Sequence, residues 1–378
     1  MSGSNGSLLA LARLFLRLGV TSFGGPAAHL ALMQEEIVER RGWLTREQFL
    51  DLISAANVIP GPNSTEVAMH VGFVRGRWRG LVVAGACFIL PAALIVTALA
   101  VLYVRYSALP AVTGVLYAVK PVVIAIVVQA IWRLAAAALK TPLLIALCLA
   151  ATIAALAGVD ELLLLAIGAC VMIAVARLHK PATLLVTVPS VLAATAAGAP
   201  AFGLLPLFLF FLKVGSVLFG SGYVLVAFLR RDLVERWGWL TEGQLLDAVA
   251  IGQVTPGPVF TTATFIGYFL GGGAGAVVAT AGIFLPAFVF VAVTARFVER
   301  VRQSPTLAAA LDGINAASLA LMIAVCWQLG RSAIVDIPTV VIAVVSAALL
   351  LFRVNPTWLA VGAAVVGWAL TPGPGIPL

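Results

Sequence analysis

The sequence predicts an all-α, polytopic helical membrane protein made of two repeated halves of inverted topology, with discontinuous helices. Three observations carry that expectation. The first is composition. Of 378 residues, 62% are hydrophobic and only 10% charged, with a mean hydropathy of +1.11; a soluble domain carries about 25% charged residues and needs them to cover its core. The second is an internal repeat. Residues 15–62 and 211–258 align at a constant offset of 196, with twenty of the 48 positions identical, the signature of two fused, similar units. The matches include Glu39/Glu235, Arg40/Arg236, Trp43/Trp239 and Asp51/Asp247, which a shared apolar bias does not produce. The third is the placement of Gly-Gly-Pro and Pro-Gly-Pro inside segments of spanning length.

Apolar runs fall at residues 80–104, 122–139, 204–229, 275–295 and 306–329. Each reaches or approaches the ~20 residues that cross a bilayer. The net charge of +8 sits in short arginine clusters between these runs. That is the pattern of positive-inside topology and not of a nucleic-acid-binding face. Cys87, Cys148, Cys170 and Cys326 all lie inside apolar runs without metal-ligand spacing and read as small buried residues. The N-terminal stretch has no positive region ahead of its first apolar run, so a cleaved signal peptide is not expected.

Taken in order, residues 8–33 carry Arg13 and Arg17 early and Gly24-Gly25-Pro26 in the middle. Such a break frees backbone groups that must be buried in protein or face a cavity, so it is a packing device or a site. In the polar linker 34–48, Trp43 is placed as an interfacial anchor, and Thr45 with Gln48 forms a capping box. Residues 49–74 are interrupted by Pro60, Gly61 and Pro62, then by Asn63, Ser64, Thr65 and Glu66. Two prolines so close exclude a continuous helix. Two half-helices meeting at a loop remain, as a broken span or a re-entrant hairpin.

Arg75, Arg77 and Arg79 precede the run with Pro91, and Lys120-Pro121 interrupts the next. Two short runs, 142–157 and 162–176, are marginal spans. A weaker one at 183–197 leads into the second half, which repeats the order with Pro256, Gly257 and Pro258 at its own break. The expected division is 8–180 and 204–371 for the halves, with 181–203 connecting them. Between the second and third segments the first half has three arginines and the second half Gly271-Gly272-Gly273. One segment later the bias reverses, with Arg105 alone against Arg296, Arg300 and Arg302. Short-loop arginines mark the cytoplasm, so the halves lie upside down relative to each other. Counting 183–197 as a span gives thirteen segments.

Inverted repeats with discontinuous helices are the build of transporters that bind substrate near the bilayer midplane. Broken helix ends present free N–H groups and partial positive charge, which suits an anion. Candidate substrate-binding positions are therefore Gly24, Gly25 and Gly220 at the first breaks, and Asn63, Ser64, Thr65, Thr261 and Thr262 after the Pro-Gly-Pro triplets. The alternative is that these side chains only cap their helices. Pro26, Pro60, Gly61, Pro62, Pro256, Gly257 and Pro258 are the structural breaks. Candidate cations are Arg17, its counterpart Lys213, and Lys120, against the alternative of snorkelling to headgroups. Glu66 is the carboxylate directly after a break, placed to pair with an arginine or to take up a proton as the anion moves. No P-loop, HExxH, nucleophile elbow or haem spacing occurs, so no enzyme, cofactor or metal site is expected.

The motifs Phe-Gly-Gly-Pro at 23–26, Glu-Arg-Arg-Gly-Trp-Leu-Thr at 39–45, Pro-Gly-Pro at 60–62, and their second-half copies at 235–241 and 256–258 resemble the bacterial chromate ion transporter family in its long, two-domain form. The resemblance covers nearly the whole chain. It implies a multi-pass inner-membrane protein that exports chromate, with a sulfate-like oxyanion as competitor or co-substrate, driven by membrane potential or a proton gradient. The second-half counterpart of the first motif is Phe219-Gly220-Ser221-Gly222, so the resemblance does not imply equal roles for the halves. A passive anion channel and a non-transporting scaffold remain the alternatives. The glycine-rich apolar helices permit a homodimer without requiring one.

Overall fold

The computed structural model describes residues 3–107, 109–178, 200–219, 222–295, 305–352 and 354–370; the weak run at 183–197 lies outside them. In the first half, α1 (Gly3–Thr21) stops before the Gly-Gly-Pro break and α2 (Gly25–Gln34) runs on into a π-helical turn, Glu35–Arg40. Next come α3 (Arg46–Ala56), α4 (Asn63–Tyr106), α5 (Pro110–Ala138), α6 (Pro142–Leu156) and α7 (Glu161–Leu178). The second half repeats the series as α8 (Leu204–Val217), α9 (Leu225–Leu229) with its own π-helical turn Arg230–Arg236, and α10 (Glu242–Val254). It continues with α11 (Thr262–Thr294), α12 (Pro305–Ala333), α13 (Ile337–Leu351) and α14 (Pro356–Leu370). The expected capping box forms: Gln48 N–H donates to Thr45 Oγ1 at 3.2 Å and Thr45 N–H to Gln48 Oε1 at 2.9 Å. Its copy at Thr241 and Gln244 starts α10.

Among the described residues, five helical stretches are long and apolar enough to cross a membrane: α4, α5, α7, α12, and Val259–Thr294, which includes α11. α6, α8, α13 and most of α14 are shorter apolar helices. Outward-facing Leu94, Ile153, Val277, Val293 and Val344 are exposed, which only lipid accommodates on this scale.

Two of the long helices are hairpins. The backbone leaves helical geometry at Gly76 and Arg77 in α4, and at Gly271 and Gly272 in α11. Residues eight apart in a continuous helix lie about 12 Å from each other. Here a Cβ on Gly72 would collide with the Gly80 carbonyl, and one on Gly267 with the Gly275 carbonyl. Thr264 and Thr280 hydroxyls meet at 2.8 Å across the second hairpin. Each Pro-Gly-Pro segment thus enters as a short helix, breaks, continues as a half-helix and turns back. The glycines at 72, 80, 267 and 275 are what let the two arms touch.

The halves interlock. α6 and α7 of the first half pack on α12 of the second, while α13 and α14 of the second pack on α5 of the first. α5 and α12, equivalent in the repeat, pack on each other. They run antiparallel: Gly330 near the end of α12 meets Ile124 in the middle of α5, and residues 315–322 in the middle of α12 share a cavity with residues 129–138 that end α5. Equivalent membrane helices pointing opposite ways are the inversion expected from charge placement. The crossings repeat as well. A Cβ on Gly19 of α1 would meet the Phe88 carbonyl, and one on Gly215 of α8 the Ile283 carbonyl. Gly168 of α7 lies against Gly313 of α12, and Gly367 of α14 against Gly114 and Ala118 of α5.

These crossings set a test. Gly313→Leu forces a branched side chain into the Gly168 backbone, and overpacking of that kind costs about 1–3 kcal/mol. Thermal unfolding of the detergent-purified protein is expected at lower temperature than wild type. Gly362→Leu, where a Cβ meets nothing within 4 Å, is expected to leave the transition in place.

Candidate functional site

The site begins with the two triplets. In Pro-Gly-Pro only the glycine has an N–H to donate. Gly61 takes φ 139° and Gly257 φ 90°, within the range that favours glycine. Gly61 N–H donates to the Leu218 carbonyl at 2.8 Å, and Gly257 N–H donates to the Ser22 carbonyl at 2.8 Å. At the offset of 196 these bonds are copies of each other. Each triplet of one half is therefore fastened to the first-helix break of the other. Gly24 and Gly25, at φ 99° and 78°, turn the chain from α1 into α2, and Pro26 occupies the first turn of α2.

The first half adds a buried polar cluster. His29 lies in α2, packed edge-on against Phe88. Its Nε2–H donates to the Ser22 carbonyl at 3.1 Å, which leaves Nδ1 to accept from the Ser64 hydroxyl at 3.3 Å. Asn63 Nδ2 donates to Asn57 Oδ1 at 2.6 Å, bridging the loop from the end of α3 to the start of α4. Glu66 is fully buried and neither carboxylate oxygen has a partner in the described structure. It lies under the loop, where a Cβ on Gly61 would strike Glu66 Oε1. Thr65 Oγ1 and His70 Nε2 are likewise buried without partners. At offset 196 the second half has Leu225 for His29 and Thr262 for Glu66.

Both breaks open onto one cavity of about 890 Å3. The first half contributes Gly24, Pro26, Asn57, Pro62, Asn63 and Ser64, and the second half Gly222, Pro258, Val259 and Phe260. The remaining wall comes from Gln129 and Arg133 of α5, Asn315 and Ser318 of α12, and Asn355 before α14. Of the described lining residues, Arg133 alone is charged.

The repeat image of this cavity is much smaller. Ile126, Gln129, Ala130 and Arg133 of α5 correspond at offset 195 to Leu321, Ala324, Val325 and Gln328 of α12, and these four line a second cavity of about 120 Å3. Ion pairs of two arginines in its wall crowd it. Arg230 binds Glu235, Glu242 and, at 2.8 Å, Gln328 Oε1. Arg231 binds Glu161 at 3.2 Å, Asp160 at 3.5 Å and the Val159 carbonyl at 2.6 Å.

The structure therefore brings Gly24, Pro26, Pro62, Asn63, Ser64 and Pro258 together at one cavity. Thr65 and Glu66 are buried behind it, and Gly25, Pro60, Gly61, Pro256 and Gly257 shape its loops. Thr261 and Thr262 turn their hydroxyls onto the Pro258 and Val259 carbonyls, both at 2.8 Å, as caps do. The three candidate cations lie elsewhere, each holding a carboxylate. Arg17 pairs with Glu36, Lys213 with Asp232 at 2.7 Å and Lys120 with Asp247 at 3.0 Å. The first two are again one pair written twice. Gly220 lies outside the described residues. Gln129, Arg133, Asn315, Ser318 and Asn355 were not among the positions expected from the sequence. A signal for Arg133 was present, because it is a charge inside the apolar run 122–139.

Inverted halves with broken helices facing one cavity define a class, the inverted-repeat membrane transporters. The family model described as "Chromate transporter" matches residues 9–199 and 205–368, one match for each half. The chain is 34% identical over 378 residues to the chromate transport protein of Cupriavidus metallidurans, covering 97% of this chain and 94% of that protein. It is 33% identical to the chromate transport protein of Pseudomonas aeruginosa, with 96% and 92% covered. Against a probable chromate transport protein of Synechococcus elongatus it is 32% identical, with 90% and 89% covered. No solved structure matches. The chain belongs to the chromate transporter family. It is a multi-pass membrane transporter and not an enzyme, and the family and architecture together support oxyanion transport as its general function.

The unequal cavities predict unequal access. In a cysteine-free background, Asn63→Cys is expected to react readily with a membrane-impermeant thiol reagent. Ala324→Cys, in the wall of the smaller cavity, is expected to react far more slowly. Mass spectrometry of the labelled protein measures both.

Proposed function

We propose that the chain exports chromate across the bacterial inner membrane by alternating access, with sulfate as a competing or co-transported dianion, driven by membrane potential or a proton gradient. The observation that carries this reading is the meeting of both helix breaks at a single polar cavity. A dehydrated dianion is tolerated in a membrane interior only among paired donors, and the start of α4 at Asn63 and Ser64 supplies N–H groups with no intrahelical partner. Chromate is the substrate for which the relatives are named. The two cavities favour a transporter over a channel. A pore needs a continuous polar path in one state, whereas here one cavity is wide and its repeat image is small and crossed by the ion pairs of Arg230 and Arg231.

Glu66 has the place of the coupling group. It is buried beside the cavity wall formed by Asn63 and Ser64, has no ionic partner among the described residues, and has Thr262, not an acid, as its counterpart in the other half. The halves then have different duties, the first carrying the titratable cluster of His29, Glu66 and His70.

Uptake of labelled chromate and sulfate into inverted vesicles tests the reading. Saturable uptake is expected, with each anion inhibiting the other and with accumulation that rises under an imposed potential or proton gradient. Flux that is linear in concentration and never exceeds equilibration would identify a channel, and absence of flux a scaffold. Glu66→Gln is expected to abolish stimulation by a proton gradient while leaving anion exchange across the vesicle membrane in place. Equal stimulation of wild type and variant would remove Glu66 from coupling.

A further inference from the structure

We propose that Arg133 is the charged ligand of the cavity, and that with Asn315 and Ser318 it selects a doubly charged tetrahedral oxyanion over smaller or singly charged anions. The inference rests on the transport reading above and adds the residue that recognises the substrate.

Four observations support it. Arg133 is the one charged side chain among the described lining residues of the wide cavity. It also differs from the other cations considered for the site: Arg17, Lys120 and Lys213 each hold a carboxylate, whereas Arg133 forms no ion pair among the described residues. The third observation is an orphaned donor in the same cavity. Ser318 lines the same cavity, is 3% exposed, and its hydroxyl has no partner among the described residues. A serine inside a helix commonly returns its hydroxyl to the carbonyl four residues back, as Ser54 and Ser216 do in this chain at 2.9 Å and 2.7 Å. Ser318 does not, and Asn315, one turn earlier on α12, brings an amide to the same wall. The fourth is the repeat. The counterpart of Arg133 is Gln328, which is occupied by Arg230 in the smaller cavity. The charge exists in one copy, in the larger cavity.

The chemistry of the set fits a dianion. A guanidinium presents parallel N–H groups that grip two oxygens of one oxyanion, which a lysine ammonium cannot do. Asn315 and Ser318 approach from the facing helix, and the first N–H groups of α4 from a third direction. Together they surround a tetrahedral group with donors on several sides. A spherical halide takes fewer of these bonds, and a singly charged anion gains less from the guanidinium.

The test uses the full-length protein in detergent and in proteoliposomes, with sulfate as the binding probe. Sulfate is expected to raise the unfolding temperature of wild type and of Arg17→Gln, and to leave that of Arg133→Gln unchanged. In transport, Arg133→Gln is expected to raise KM for sulfate and chromate about tenfold or more, the loss of one hydrogen-bonded charge. Arg133→Lys should fall between, and Ser318→Ala should show a smaller rise. These differences should persist at high chloride, where long-range attraction by a merely nearby charge is screened. The proposal is overturned if Arg133→Gln or Arg133→Lys keeps the wild-type KM and sulfate shift, or if the difference vanishes at high salt. Wild-type flux without saturation would defeat the transport reading; an unchanged sulfate shift in Arg133→Gln would defeat only the assignment of Arg133.

Discussion

Two hydrogen bonds organise this membrane protein. Gly61 N–H reaches the Leu218 carbonyl and Gly257 N–H reaches the Ser22 carbonyl, each at 2.8 Å. In water such a bond contributes about 1 kcal/mol net, but within a bilayer an unsatisfied backbone group costs several times that. The prolines on either side leave the glycine as the sole backbone donor of each triplet. The acceptor is a carbonyl freed by the break of the opposite half. Each interruption thus satisfies the other. Because the bonds are reciprocal, the two breaks are fixed at one depth and face one space, which is where the cavity forms.

The legible part of this arrangement was what repeats or what disrupts. Pro-Gly-Pro, Gly-Gly-Pro and the copied Thr-x-x-Gln caps announce themselves by residue type, and the arginine cluster that changes sides announced the inversion. What pairs with what was not legible. Arg17 and Glu36 are nineteen residues apart in sequence, as are Lys213 and Asp232, and only the turn through the break brings each pair together. Lys120 and Asp247 come from different halves. Arg133 was visible as a charge in an apolar run, but its role depends on α12 lying antiparallel beside α5, which no local pattern encodes. The segmentation at residues 70–80 was also only partly readable. Gly76 and Arg77 mark a boundary, but the fold-back depends on glycines at 72 and 80 meeting across it.

The duplication is exact enough to repeat a π-helical turn, yet the site it encloses is not symmetric. His29, Glu66 and Arg133 have as counterparts Leu225, Thr262 and Gln328. The backbone frame has kept its two-fold relation while the chemistry has gathered on one side. This separates two demands. Rocking one half against the other requires matched frames, since each outward arrangement must be as well packed as each inward one. Holding one substrate requires a single set of ligands near the centre, and a second copy would only compete with it.

The exchange of α6 and α7 for α13 and α14 bears on how the chain is made. A ribosome delivers α5 long before α13 and α14, the helices that will cover it, and delivers α6 and α7 before α12 exists to receive them. Until α13 and α14 are inserted, small-residue faces such as Gly114 and Ala118 meet lipid in place of Gly367. Completion of the C-terminus is therefore the step that locks the assembly, and a nascent chain arrested before it would hold its first half open in the bilayer.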